Sequence, residues 1–367
     1  MVELVVSDNL SDSEIGVRDS LHPSQRQLLV DPIIITALPS NCPPTSELVL
    51  QLPVGLYLAS GQHAYREVVD GSETAWEVTL DPRAAPARLT YTVRLQAPSG
   101  PLATTRRTIV ATIHGATGFE PSRDGFSFVD SPHLFGTVEP TRAIFTRSFS
   151  VGLHSLVSRR VFDRIYRRIF RCGARTGLAM TALWVFVHRT NASPRDVSSP
   201  DQNTRVLIDT LHGRQLSDAA LLRSGVDLVR NSPAAIFQEL RRATLKPAKH
   251  AVAFNVGIPI IYRRDFFRVV MHQGHTIVPY SYRIVPGKIA EIAVYDPASL
   301  TDGDISPAPL LCIDLSQDTY VYGSWSSLKP GNRTTITLAR LSTYCRSRSF
   351  IIASLVSLVL RTKQQVG

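Results

Sequence analysis

Cysteine is scarce in this chain of 367 residues, which carries only four: Cys42, Cys172, Cys312 and Cys345. They lie far apart and form no C-x-x-C pair, which argues against a structural zinc site and a disulfide framework. Cys312 sits in the strand-like run LLCIDL and reads as a small buried apolar residue. The sequence therefore predicts no metal and no cofactor. Of the four cysteines, Cys172 is the one in a segment that suggests catalysis.

Lysine is also scarce, and the net charge of +10 comes from arginine. Forty basic residues face 30 acidic ones, and only five of the basic residues are lysines. A basic protein can bind nucleic acid, but these arginines are scattered and no nucleic-acid motif accompanies them. Nucleic acid is therefore not the expected partner, and an arginine-rich genome explains the composition.

Long hydrophobic runs are missing as well. The N-terminal MVELVVSDNLSDSE has no basic segment, and the late apolar run 350–360 has 11 residues where a spanning helix needs roughly 20. We expect no signal peptide and no transmembrane helix, and hence a cytoplasmic protein or export by a signal-independent route. We expect the run to be buried, although the flanking Arg346, Arg348, Arg361 and Lys363 would also suit an anionic membrane surface.

The first third of the chain predicts strands. Residues 1–28 are polar and mildly acidic, and we expect an arm there. Residues 29–116 form short apolar runs between turn residues, and TYTVRLQA alternates with period two, which predicts an all-β sandwich. The strand pattern resembles the immunoglobulin-like modules of bacterial surface and secreted proteins, and this resemblance implies a spacer or binding domain.

The remainder of the chain predicts an α+β domain. Residues 117–150 are rich in Gly, Pro, Ser and Thr and read as a linker and entry loop, and the apolar GFSFV and HLFG suggest that this segment packs on a domain. Residues 151–367 begin with a basic amphipathic helix at 153–170, continue with a buried helix from about Thr176 and a helical stretch at 205–244, and end in strands beyond Lys249. Helices followed by an antiparallel sheet is an α+β arrangement.

Three segments of this second domain suggest a catalytic constellation. Cys172 precedes the buried helix, and a helix N-terminus lowers the pKa of a thiol. His275 lies in HTIVPYSYRI, and Asp296 follows the strand IAEIAVY after the turn VPGK. A short hairpin would bring these two side chains together, with the carboxylate orienting an imidazole base.

These segments resemble a bacterial branch of the papain-like cysteine peptidases. The resemblance rests on the cysteine before a buried helix, then H-x-x-x-P-Y at 275–280, then Y-D-P at 295–297. DGFSFVDS at 124–131, HGRQLS at 212–217 and LCIDLSQDTYVY after the Y-D-P fit the same order. The resemblance spans about 120–330 and implies a papain-like fold, with Cys172, His275 and Asp296 as catalytic residues and a peptide or protein as substrate.

The nucleophile motif departs from the family. The frame Gly177-Leu178-Ala179 matches the family's Gly-Met-Ala/Ser, and this register places Arg175, not Cys172, where the family has its cysteine. Either the loop directs Cys172 into the site or the nucleophile is lost. By the resemblance, Arg175 and Gly177 would contact the substrate.

Other polar residues near these segments carry weaker signals. In a strand, His272 points to the face opposite His275, and Glu291 to the face opposite Asp296. Asn255 lies in a strand that flanks the expected cleft, and it receives no role.

Three functions remain open at this point. The first is a papain-like peptidase or amidase that uses Cys172, His275 and Asp296. The second is an inactive relative that binds a peptide or protein in the same cleft. The third is a toxin or effector whose basic helix or late apolar segment engages a membrane or an acidic partner.

Overall fold

The structure is a computed structural model with two compact units. Unit 1 comprises Met1–Gly115 and Arg283–Ala290, and unit 2 comprises Ala116–Tyr282 and Glu291–Gly367. The described residues are 2–30, 32–69, 71–128, 141–149, 162–170, 173–188, 193–196, 201–230, 232–244, 251–264, 267–298, 309–327 and 335–346.

Ten strands account for most of the described part of unit 1. They are β1 (Glu3–Asp8), β2 (Glu14–Arg18), β3 (Gln27–Leu28), β4 (Ile33–Ser40), β5 (Glu47–Gln51), β6 (Leu56–Leu58), β7 (Ala64–Val68), β8 (Thr74–Leu80), β9 (Ala87–Ala97) and β10 (Gly100–Ala116). β1, β4, β8 and β6 form one antiparallel sheet in that order, and β10, β9, β5 and β7 follow one another in a second. β2 runs parallel to β10 and also pairs with β3.

The period-two pattern of these strands produces the core of unit 1. Alternate residues of β4 and β9 are buried, as the pattern of TYTVRLQA predicts. Ile35 lies opposite Trp76 in one sheet and Leu50 lies opposite Val93 in the other. The hydroxyl of Tyr91 in the second sheet donates to Asp8 in the first (3.2 Å). The expected all-β character of this region is confirmed.

The expectation of an N-terminal arm at 1–28 is wrong. β1 pairs with β4 along its full length, and β2 pairs with β10. Val6, Ile15 and Val17 are buried in the core. These apolar side chains are too few in a polar sequence to predict strands. Pairing with strands of clear apolar pattern buries them in the core.

Unit 2 begins with helices and ends in a sheet. Its described helices are α1 (Pro121–Asp124), α2 (Arg142–Ser148), a π-helical turn (Phe162–Tyr166), α3 (Arg167–Phe170), α4 (Arg175–His188), α5 (Gln202–Gly213), α6 (Asp218–Arg230), α7 (Pro233–Thr244) and α8 (Leu341–Arg346). Its strands are β11 (Val252–Arg264), β12 (Phe267–Val285), β13 (Ile289–Tyr295), β14 (Leu310–Asp314), β15 (Thr319–Tyr322), β16 (Trp325–Ser326) and β17 (Thr335–Arg340).

The strands of unit 2 lie side by side in the order β17, β11, β12, β13, β14, β15, β16. The pairs β11–β12, β11–β17, β14–β15 and β15–β16 are antiparallel. This arrangement of helices and antiparallel sheet confirms the α+β prediction.

Helix α4 is the centre of the hydrophobic core of unit 2. Leu178, Met180 and Leu183 of α4 are buried against residues from the sheet and from the segment that precedes α1. Phe119 and Phe126, in the region predicted as a linker, belong to this core. The buried helix expected from about Thr176 is therefore confirmed, and part of the linker region is core.

Two sequence expectations fall largely outside the described residues. The basic helix predicted at 153–170 is described only from Phe162, and the apolar run 350–360 lies outside the described residues altogether. Within the described ranges, no helix combines the length and apolar character that a membrane span requires.

Candidate functional site

The β12–β13 hairpin brings His275 and Asp296 into contact. β12 ends at Val285, the turn passes through Gly287 and Lys288 with positive φ angles of 93° and 62°, and β13 returns to Tyr295. The imidazole Nδ1 of His275 lies 2.6 Å from Oδ2 of Asp296. The contact predicted from their spacing of 21 residues is confirmed.

Asp296 is buried, and three donors surround its carboxylate. Besides His275, the hydroxyl of Tyr322 donates to Oδ2 (2.7 Å) and the N–H of Ala298 donates to Oδ1 (2.9 Å). Burial pushes the pKa of Asp296 upward, but the hydrogen bond and charge of His275, with the other two donors, outweigh burial and lower that pKa. Asp296 is therefore a carboxylate at neutral pH.

His275 is oriented as a base toward the outside of this pair. Because a carboxylate only accepts hydrogen bonds, the proton between the two groups sits on Nδ1, and Nε2 is the nitrogen that can accept a proton. The His275 side chain retains 23% exposure, whereas that of Asp296 has none. The rings of Tyr322 and Trp325 meet the imidazole edge-on, with centroids at 5.9 and 6.5 Å.

Tyr322 and Trp325 were not among the residues predicted from the sequence. Their strands, β15 and β16, lie beyond β14 in the sheet, so their approach to His275 depends on the strand order. The signal that could have suggested Tyr322 is the alternation in TYVY, where Tyr320 and Tyr322 are both buried on one face.

Arg175 is the first residue of α4 and lies next to the His275 strand. Its Nη1 donates to the carbonyl of Gly274 (3.3 Å), the residue before His275. The contact places the guanidinium of Arg175 beside the residue that precedes His275. Cys172 lies outside the described residues, so its predicted catalytic role stays a prediction.

Gly177 faces helix α5. A Cβ at this position would lie 2.4 Å from the carbonyl oxygen of Ile208 and 2.8 Å from the Cβ of His212, so only glycine allows this approach. Its N–H donates to Nδ1 of His212 (3.3 Å). Helix packing explains the glycine, and the contact with substrate predicted for Gly177 stays a prediction.

A chain of buried polar side chains lies behind the site. Thr176 of α4 shares a hydrogen bond with Thr276 of β12 (2.9 Å), and Thr276 donates to the side-chain oxygen of Asn255 in β11 (2.9 Å). All three residues are buried. Asn255, which received no role from the sequence, thus helps to fix the start of α4 against the strand that carries His275.

The segment that follows α1 packs against Tyr295, the last residue of β13 before Asp296. The N–H of Phe126 donates to the Tyr295 hydroxyl (3.1 Å), and a Cβ on Gly125 would meet the Tyr295 ring at 2.9 Å. This part of DGFSFVDS therefore supports the site from behind.

The described cysteines of unit 2 lack an activated thiol. Burial, together with the carboxylate of Glu291, raises the pKa of Cys312. Burial also raises the pKa of Cys345. A nucleophilic thiol needs a lowered pKa, so neither residue substitutes for Cys172.

The geometry combines an oriented histidine base, a buried carboxylate and an arginine at a helix start. Such a histidine can take a proton from a nucleophile or from a bound ligand, and the arginine adds a permanent positive charge beside it. In comparisons with known proteins, the chain matches no protein-family model and no curated protein sequence.

Proposed function

We propose that unit 2 is a papain-like domain whose cleft beside His275 binds a peptide or protein segment without cleaving it. The observation that carries this proposal is the position of Arg175, the first residue of α4, bonded to the carbonyl that precedes His275. By the family resemblance, this is the place of the cysteine nucleophile.

The chemistry of arginine supports binding and opposes hydrolysis. A guanidinium stays protonated and cannot attack a carbonyl, but its donors suit a peptide's carbonyl or carboxylate groups. Cys172 is three residues upstream, and catalytic geometry tolerates misplacement of only about 1 Å. The domain therefore keeps the base of a hydrolase and replaces the nucleophile by a binding group.

A second candidate function is hydrolysis of a peptide or amide by Cys172. It is favoured by the intact grouping of His275, Asp296 and Tyr322, since a buried carboxylate that orients a histidine is the arrangement a cysteine or serine nucleophile requires. In this alternative, Cys172 reaches Nε2 of His275 and Arg175 lines the cleft.

For unit 1, we propose an immunoglobulin-like module that serves as a spacer or a binding domain. The support is its pair of antiparallel sheets with alternating buried residues.

Thiol labelling separates the two functions of unit 2. The wild type, Cys172→Ser and His275→Ala are treated with a peptide-based electrophilic probe near neutral pH, and the labelled cysteine is identified by mass spectrometry. The binding function predicts slow labelling of Cys172 that His275→Ala leaves unchanged. Fast labelling of Cys172 that His275→Ala suppresses would establish the hydrolase instead.

Peptide display tests the binding function itself. A random peptide library is panned against the wild type and against Arg175→Glu, which reverses the charge at the start of α4. We expect the wild type to enrich peptides that Arg175→Glu does not retain. Enrichment that is the same for both proteins would contradict a role for this cleft.

A further inference from the structure

We propose that His212 is a positioning residue that ties the end of α3 to the first turn of α4 and thereby sets where Arg175 stands. The inference rests on the proposed function, because Arg175 is the residue that this function places in the cleft. His212 lies on α5, in the HGRQLS segment.

Both ring nitrogens of His212 face backbone groups, one on each side of the segment that leads into α4. The N–H of Gly177, in the first turn of α4, donates to Nδ1 (3.3 Å). Nε2 lies 3.4 Å from the carbonyl of Ile169, in α3. The Phe170 ring packs edge-on against the imidazole, with ring centroids 4.7 Å apart. One side chain thus contacts the chain before and after residues 171–174.

The contacts define the protonation of the ring. Because Gly177 donates to Nδ1, we assign the single proton of a neutral imidazole to Nε2, which lies 3.4 Å from the Ile169 carbonyl and 3.2 Å from the side-chain nitrogen of Gln215. Burial disfavours the charged form and lowers the pKa of His212 to about 4, so the ring is neutral at physiological pH. A neutral ring can accept at one nitrogen and donate at the other, which is what this link needs.

Neighbouring residues hold His212 in place. The side-chain amide of Gln215 donates to the His212 backbone carbonyl (2.8 Å). Gly177 allows α4 to approach α5 so closely that a Cβ there would touch the Cβ of His212. An apolar side chain would fill the same space, but it would leave the Gly177 N–H and the Ile169 carbonyl without this partner. The histidine therefore fixes the backbone at the start of α4, two residues from Arg175.

The test uses three replacements of His212 that keep different parts of the link. His212→Leu removes both hydrogen bonds. His212→Asn places an acceptor near Nδ1 and keeps the bond from Gly177. His212→Gln reaches toward Ile169 and loses the Gly177 bond. If His212→Leu does not fold, the comparison of Asn with Gln carries the test.

The readout is site-resolved alkylation of the four cysteines by iodoacetamide, with hydrogen exchange of the Gly177 amide. Loss of one hydrogen bond in a closed structure shifts a local equilibrium about five-fold. We expect His212→Leu and His212→Gln to change the alkylation rate of Cys172 about five-fold and to speed exchange at Gly177. His212→Asn should stay near the wild type, and Cys42, Cys312 and Cys345 should react as before.

Two results would overturn the inference. One is an unchanged Cys172 rate and an unchanged Gly177 exchange in folded His212→Leu. The other is an equal change at all four cysteines, which would indicate general destabilisation.

The direction of the change at Cys172 reports separately on the proposed function. A faster rate fits a thiol that takes no part in catalysis. A slower rate fits a thiol that His275 activates, and it would contradict the binding function while the role of His212 stands.

Discussion

Asp296 is a buried charge that the fold retains. Its side chain is fully buried, and burying an isolated carboxylate is strongly unfavourable. His275, Tyr322 and the N–H of Ala298 offset that cost with charge and hydrogen bonds. An apolar pair would fill the space at lower cost, so a role for His275 beyond packing explains the arrangement best.

Replacing Asp296 tests the strength of this pair. Asp296→Asn removes the negative charge beside His275, and we expect the free energy of unfolding near pH 7 to fall by about 3 kcal/mol. Because the folded-state pKa of Asp296 is lowered, its stabilisation is present above the unfolded value of 3.8 and is lost as the pH falls through the folded pKa. Urea unfolding of both proteins should therefore show a smaller difference near pH 3.

The matched control is Asp12→Asn, at an exposed carboxylate of unit 1. This control should change the stability by less than about 0.5 kcal/mol. A loss for Asp296→Asn that is no larger than for Asp12→Asn would show that the pair contributes nothing.

The buried His212 should make the free energy of unfolding depend on pH separately from Asp296. Its folded-state pKa is lowered from 6.5 to about 4, so the unfolded chain binds a proton first as the pH falls. Stability contributed by the neutral ring is complete above pH 6.5 and is lost between 6.5 and 4, by about 3 kcal/mol in total. The quantity to measure is the difference between wild type and His212→Asn in urea unfolding across this range.

A neighbouring carboxylate also contributes to the pH dependence of stability in this range. Burial raises the pKa of Asp209, also on α5, to about 6, so its stabilising contribution is lost as the pH rises. Asp209→Asn should remove this opposite trend and leave the His212 effect. A pH dependence that is identical in wild type and His212→Asn would contradict the account of the buried ring.

Strands and helices were predictable where the pattern of apolar residues within the element itself indicated the structure. β9 alternates buried and exposed residues along TYTVRLQA, and α4 is apolar nearly all round. β1 lacks such a pattern, since only Val6 is buried within it, and its strand conformation follows from its pairing with β4. Long-range pairing of this kind cannot be seen in the local sequence.

The contacts of the candidate site also include some that were predictable from the local sequence and some that were not. The contact of His275 with Asp296 follows from a single hairpin, so their spacing was enough to predict it. Tyr322 approaches from β15, which is separated from β13 by β14, and His212 approaches from a different helix. The residues that support the pair therefore emerged only with the strand order and helix packing.

The packing of α4 on α5 gives a sharp prediction at Gly177. In Gly177→Ala the added methyl would press on the backbone oxygen of Ile208, which cannot turn away as a side chain can. Overpacking outweighs the better helix propensity of alanine, and we expect the free energy of unfolding to fall by about 2 kcal/mol. Thermal or urea unfolding of the full chain measures this loss.

Thr181→Ala is the control on the same helix. The described residues offer no hydrogen-bond partner to the buried Thr181 hydroxyl, and removing an unpaired polar group offsets the loss of the buried methyl, so stability should change by less than about 1 kcal/mol. If Gly177→Ala is as stable as Thr181→Ala, the two helices do not approach as closely as described.

Unit 1 consists mainly of strands, whereas unit 2 combines helices with a sheet. We expect unit 1 to fold as an isolated fragment. Of the hairpin residues 283–290 assigned to unit 1, Arg283 forms an ion pair with Glu14 (3.3 Å), and both side chains are partly exposed. Exposed ion pairs contribute little, and although Ile284 and Ala290 of the hairpin are buried, most of the buried side chains of unit 1 come from its first ten strands. We therefore expect the fragment 1–118 to fold with reduced stability. Circular dichroism should show a β-type spectrum with a cooperative thermal transition.

A disordered spectrum from that fragment would contradict independent folding. The companion variant is Arg283→Ala in the full chain, which removes the ion pair alone. It should leave the unfolding transition unchanged within about 0.5 kcal/mol.

The most direct test of the account restores a thiol at the start of α4. Arg175→Cys is made in a Cys172→Ser chain, and its labelling by an electrophilic peptide probe is followed against pH, with and without His275→Ala. If Arg175 stands in the nucleophile position beside an intact base, the new thiol should react near neutral pH, and His275→Ala should shift its reaction toward the ordinary thiol pKa of about 8.5. A cysteine at 175 that reacts like an ordinary thiol, with or without His275, would contradict the account.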